Sequence, residues 1–121
     1  VIEFTIPFPS AKLNPNQSKG MHWAATSKLR KDARQFAFMQ ARQVCCGKAL
    51  FGDSGDVAIS VTFVMPDRRA RDRDNLLAAL KPSLDGVAEA IGVNDSRFEP
   101  ITIRREFGTR PGLVRILIGA P

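Results

Sequence analysis

Tyrosine is absent from this 121-residue chain, tryptophan and histidine occur once each, and the only two cysteines are adjacent. Neighbouring cysteines such as Cys45 and Cys46 rarely meet disulfide geometry, and no histidine or further cysteine stands near them to complete a zinc site. Both read as reduced residues of a helix. The lone His22 and Trp23 sit side by side in a loop-like stretch, where such a pair packs more often than it reacts. No apolar run approaches the roughly 18 residues that a membrane span needs, and no signal-peptide pattern opens the chain. A cytoplasmic location with no membrane attachment is the expectation. Repeats, linkers and low-complexity tracts are also missing, so residues 1–121 are expected to form one domain.

What is plentiful is positive charge. Eighteen Lys and Arg stand against twelve acids, a net charge of +6. Such an excess suits a polyanionic partner, because each phosphate neutralised releases condensed counterions. The apolar fraction of 44% is enough for a core without metal or disulfide staples.

Residues 1–8 read as a strand ended by Pro7 and Pro9, and residues 9–24, with Asn14-Pro15-Asn16, as a long loop. Helical spacing of Leu29, Ala33, Phe36, Ala37, Ala41 and Val44 predicts a helix over Thr26 to Cys46, stopped by Gly47. Its other face carries Lys28, Lys31, Arg34 and Arg42, either solvated or laid along a phosphate backbone. Val57 to Met65 alternates as a strand. A second helix is expected from Asn75 to Ile91, burying Leu77, Leu80, Leu84, Val87 and Ile91, kinked or divided at Pro82 and ended at Gly92. Phe98 to Phe107 and Leu113 to Ile118 read as a closing hairpin joined by Gly108-Thr109-Arg110-Pro111-Gly112. The order β-α-β-α-β-β implies an α+β domain with helices on a mixed sheet.

The chemistry concentrates in Pro66-Asp67-Arg68-Arg69-Ala70-Arg71-Asp72-Arg73-Asp74-Asn75. Asp72 and Asp74 are two apart, so on extended backbone their Cα atoms lie ~7 Å apart on one side of the chain. Two carboxylates of that reach can converge on one hard cation such as magnesium, which fills its shell with water and phosphate oxygens. The competing reading is a solvated loop in which the four arginines pair with the acids.

This segment, together with Leu84-Asp85-Gly86 and Asn94-Asp95, resembles the RusA-type Holliday junction resolvases, as do the opening Phe4-Thr5-Ile6-Pro7 strand, the loop after it and the basic first helix. The resemblance implies a RusA-like fold and a Mg²⁺- or Mn²⁺-dependent endodeoxyribonuclease that cuts four-way DNA junctions as a homodimer. It makes Asp72, Asp74 and Asp95 the metal-binding and catalytic carboxylates. The family's lysine falls three residues after the Asn, where this chain has Ala78; Lys81, one helical turn later, is expected to take that catalytic or phosphate-stabilising role, the alternative being a solvated helix lysine. Arg68, Arg69, Arg71, Arg73, Lys28, Lys31 and Arg34 are candidates for gripping DNA arms, and Asn14 and Asn16 for touching the junction or simply shaping turns.

A straight helix from Asn75 to Ile91 spans roughly 25 Å, which places Asp74 and Asp95 near opposite ends. Two copies with antiparallel helices would bring Asp74 of one beside Asp95 of the other, giving two shared sites in a C2 dimer. Rival readings are a basic nucleic-acid-binding protein without catalysis and a nuclease for flaps or single strands.

Overall fold

A computed structural model of the chain describes residues 2–14, 23–46 and 50–119, with Trp23 in backbone only. Asn16, His22 and Gly47, singled out above, lie outside the described residues. Alternation dictates the strands: in β1 (Ile2–Pro7) Ile2, Phe4 and Ile6 are buried while Glu3 and Thr5 face out. In β2 (Val57–Met65) every second residue is buried along the full length. β3 (Phe98–Phe107) and β4 (Leu113–Ile118) complete a four-stranded mixed sheet in the order β1-β4-β2-β3.

The paired register stacks Ile59, Val61 and Phe63 of β2 against Ile118, Ile116 and Val114 of β4, which in turn face Ile2, Phe4 and Ile6 of β1. Two helices, α1 (Trp23–Cys45) and α2 (Arg73–Ile91), cover this single apolar face through Ala37, Ala41, Leu80, Leu84, Val87 and Ile91. The result is the expected α+β domain. Among the described residues, no helix is long and apolar enough to cross a membrane.

Three expectations need correcting. β3 and β4 are not a hairpin: β2 lies between them, parallel to β3 and antiparallel to β4. The most evenly apolar strands take the two central places, whereas β3, with Arg104, Arg105 and Glu106, is fit for an edge. The turn read as a hairpin steps over the end of β2 instead, with the Gly108 N–H donating to the Met65 carbonyl at 2.9 Å. Gly112 adopts φ +75°, and a β-carbon there would press on the Val64 carbonyl oxygen and on Pro66. Second, Phe36 and Val44 are 44% and 40% exposed rather than buried. The inward row of α1 is the i, i+4, i+8 series Ala37, Ala41 and Cys45. Third, Pro82 does not divide α2, which runs as one 19-residue helix.

Small residues on that row let the helices approach closely. A β-carbon on Gly86 of α2 would collide with the backbone carbonyl of Arg34 in α1. Across the same seam Arg34 Nη2 and Nε donate to Glu89 Oε2 at 2.6 and 3.2 Å.

Gly86→Ala is therefore expected to destabilise the domain by about 1–3 kcal/mol, as overpacked cores do, although alanine gains about 1 kcal/mol in helix propensity. Urea or thermal unfolding reads this out; a variant as stable as the parent would mean that the helices are not this close.

Candidate functional site

The loop between β2 and α2 organises itself around one acid. Asp67 Oδ1 accepts the Arg69 backbone N–H at 2.9 Å and Arg71 Nη1 at 2.8 Å, while Oδ2 accepts Arg71 Nη2 at 3.3 Å. These donors, Arg71 first, hold the Asp67 carboxyl far below the usual carboxylate range. Arg71 also lies over the Phe8 ring at 5.5 Å, and Arg68 over Phe107 at 4.9 Å. Arg105 of β3 reaches back to donate to the Arg71 carbonyl at 3.1 Å. The arginines that pair within the loop thus choose Asp67. Among the described residues, Asp72 and Asp74 make no ion pair.

Asp72 is the N-cap of α2, its Oδ1 accepting the Asp74 N–H at 2.8 Å. Asp74 sits in the first turn, exposed. Both placements also favour the helix as such, since carboxylates are stabilised at its positive end. Asp72 keeps its second oxygen outside the cap, and Asp74 both of its own. Two acidic oxygen donors on an exposed helix start suit a hard divalent ion, for which one or two protein carboxylates suffice.

Lys81 stands seven residues beyond Asp74, on the same face of α2 and roughly 10 Å further along. Its Nζ donates to Asp85 Oδ1 and to Asp95 Oδ2, each at 2.5 Å. Asp95 comes from the short 3-10 turn Asp95–Arg97 that follows α2. The hydrogen bonds to Asp85 and Asp95 raise the Lys81 pKa, and the bond from Lys81 lowers that of Asp95. Within one chain, then, Asp95 is joined to Lys81, not to Asp72 and Asp74. Among the described residues no three acids, histidines or cysteines gather as a metal cluster.

The other expected contacts divide. Arg69, Arg73, Lys28 and Lys31 are exposed, Arg68 and Arg71 are fixed on aromatic rings, and Arg34 is engaged by Glu89. Asn14 follows a 3-10 turn and borders a cleft of about 420 Å³ shared with Asp72 and Asn75.

Sequence reading missed Asp67 as the arginine acceptor and Asp85 as a partner of Lys81. It also missed Arg97, whose guanidinium donates to the carbonyls of Gly55, Gly52 and Ser54 at 2.8, 2.9 and 3.1 Å. That clamp fixes the turn carrying Asp95. An arginine bonded to main-chain carbonyls leaves no pattern in side-chain spacing; the i, i+4 relation of Lys81 and Asp85 was the one usable signal.

No family model matches the chain. An uncharacterized protein of Xylella fastidiosa is 38% identical over 94 residues, covering 78% of this chain and 60% of that relative. The chain thus spans about three fifths of the relative's length, and the relative's name specifies no activity.

The Lys81 bonds have a titration signature. Lys81→Met is expected to raise the Asp95 midpoint toward its ordinary 3.8, read by carbon-13 NMR of the carboxylates. The sign follows from the shifts. Stability contributed by Asp95 is present above 3.8 and is lost as pH falls through its lowered folded value. The Lys81 contribution is present below 10.5 and is lost as pH rises through its raised one. An Asp95 midpoint indifferent to the lysine would refute the pairing.

Proposed function

We propose that this protein is a divalent-metal-dependent endodeoxyribonuclease that cuts four-way and related branched DNA as a homodimer. The observation that carries the reading is the pair Asp72 and Asp74, left without an ion-pair partner among the described residues although four arginines occur in the same short segment. In this reading both acids hold Mg²⁺ or Mn²⁺. Such an ion positions and activates water and neutralises charge building on the phosphate. Lys81, with its raised pKa, stays protonated at neutral pH. It therefore acts as a fixed positive charge toward the phosphate and not as a general base. Arg68, Arg69, Arg71 and Arg73 hold phosphates beside the acids, and Lys28 and Lys31 extend the grip along α1. A cytoplasmic location is part of the same proposal.

Sharing of sites between two copies is supported by β3. It is an edge strand whose helix-side residues Ile101 and Phe107 are 41% and 65% exposed. Asp95 lies just before its start, and the β2–α2 loop lies at its end, where Arg68 covers Phe107. Antiparallel pairing of two β3 edges about a two-fold axis sets Asp95 of one copy toward Asp72 and Asp74 of the other.

A second reading, a basic DNA-binding protein without catalysis, is favoured by the Asp72 cap, which accounts for that acid without any metal. Calorimetry separates the two. The nuclease binds Mn²⁺ and loses it in Asp74→Asn; the binding protein shows no heat. A panel of flaps, single strands and junctions separates branched-DNA cutting from other nuclease activity.

With a synthetic four-way junction and Mg²⁺, symmetric nicks in opposite strands are expected, reduced about 10²-fold or more in Asp74→Asn. Junctions left intact at every metal concentration would overturn the proposal. Mixing Asp72→Asn chains with Asp95→Asn chains is expected to restore one active site per mixed dimer. No recovery would assign each site to a single chain.

A further inference from the structure

We propose that the cleft beside Asp72 holds a single unstacked nucleobase, from the nucleotide adjoining the phosphate that is cut; this rests on the nuclease reading above. The cleft, of about 420 Å³, is bounded by the exit of β1, the β2–α2 loop and the first two turns of α2. That size falls in the range of small-ligand pockets and excludes a base pair with its backbones. Its apolar wall includes Phe8, Pro66, Leu76 and Ala79. A phosphate or a hydrated cation has no use for such a wall, whereas a base buries two flat faces against one.

The wall also carries an oriented plane. The Arg71 guanidinium lies over the Phe8 ring at 5.5 Å and is pinned by Asp67 at 2.8 and 3.3 Å, so that it cannot turn away. Guanidinium and aromatic planes are the surfaces on which splayed bases stack. Across the cleft, Asn75 is half-buried, and its side chain makes no hydrogen bond among the described residues. A carboxamide offers a donor and an acceptor together, which matches the edge of a base. Asp72 borders the same space, so a base seated here leaves its own phosphate beside that acid. Branched DNA supplies such a base at lower cost than a continuous duplex, because the stack is interrupted where strands exchange.

The test is a scan of junctions, each lacking one base near the cut, bound in Ca²⁺ to keep the strands whole. For the parent protein, one abasic position beside each cut is expected to weaken binding about tenfold, the worth of one stacked base. Ala70→Trp, at an exposed position bordering the cleft, fills it. It is expected to bind the intact junction about tenfold more weakly and to lose nothing further at the abasic position. Asn75→Ala, measured the same way, shows a reduced version of that pattern and stands in if the tryptophan variant melts early. Junctions cut normally, with every abasic position silent and both variants binding like the parent, would overturn this inference alone. A protein that neither binds nor cuts any junction would remove the nuclease reading, and this inference with it.

Discussion

Val57, Ile59, Val61, Phe63 and Met65 present one unbroken buried face to the two helices, and both halves of the candidate site hang from the ends of that strand. At its far end β2 delivers the arginine loop and the start of α2. Beside its near end the returning chain delivers Asp95 and the first residue of β3, Phe98, which pairs with Val57. Burying each such side chain contributes about 1.5–3 kcal/mol, whereas an exposed ion pair contributes about 1 kcal/mol or less. The charged groups therefore do not hold themselves in place. The core fixes where α2 begins and ends, and the charges occupy the positions they are given.

Within the loop, position decides which acid meets which base. Asp67 is two residues from Arg69 and four from Arg71, and both guanidiniums fold back onto it, one of them supported by an aromatic ring beneath. Asp72 is turned instead toward the helix it caps. A loop with more arginine than acid thus keeps carboxylates without an arginine partner beside fixed positive charge. Metal and phosphate would need that arrangement together, and a self-neutralising salt-bridge loop would abolish it.

The legible features were those with a period or a cap. Alternation in β2 and the Leu80, Leu84, Val87, Ile91 row of α2 predict their own burial, because one face of each must leave water. The extended backbone read for Asp72 and Asp74 stops at Asp72: Asp74 is already in the first turn of α2, and its backbone N–H is what Asp72 caps. Strand order was not: Gly108 to Gly112 looks the same whether the chain turns back or steps over β2, and only the charge on β3 hinted at an edge. Phe36 and Val44 deceived because a helical stripe does not reveal how close its neighbour comes. Gly86 brings α2 against the α1 backbone, and only the small residues fit between. Arg97 was invisible because its partners are carbonyls that any sequence supplies.

The Lys81–Asp95 contact shows what the rigid frame leaves adjustable. Its side chains are 54% and 44% exposed, so water and salt screen the pair and its net worth is small. A phosphate brings two or more charged oxygens to the same ammonium, and Lys81 keeps Asp85 as an anchor one helical turn away. In the proposed nuclease, exchange of Asp95 for a phosphate oxygen would therefore cost little while the lysine stayed in place. A carboxylate so released would sit on a turn clamped through Arg97, and would regain its donor capacity without moving its backbone. If the proposed nuclease reading holds, such a site would rest as an internal ion pair and open by swapping one anion for another on a cation that the helix holds still.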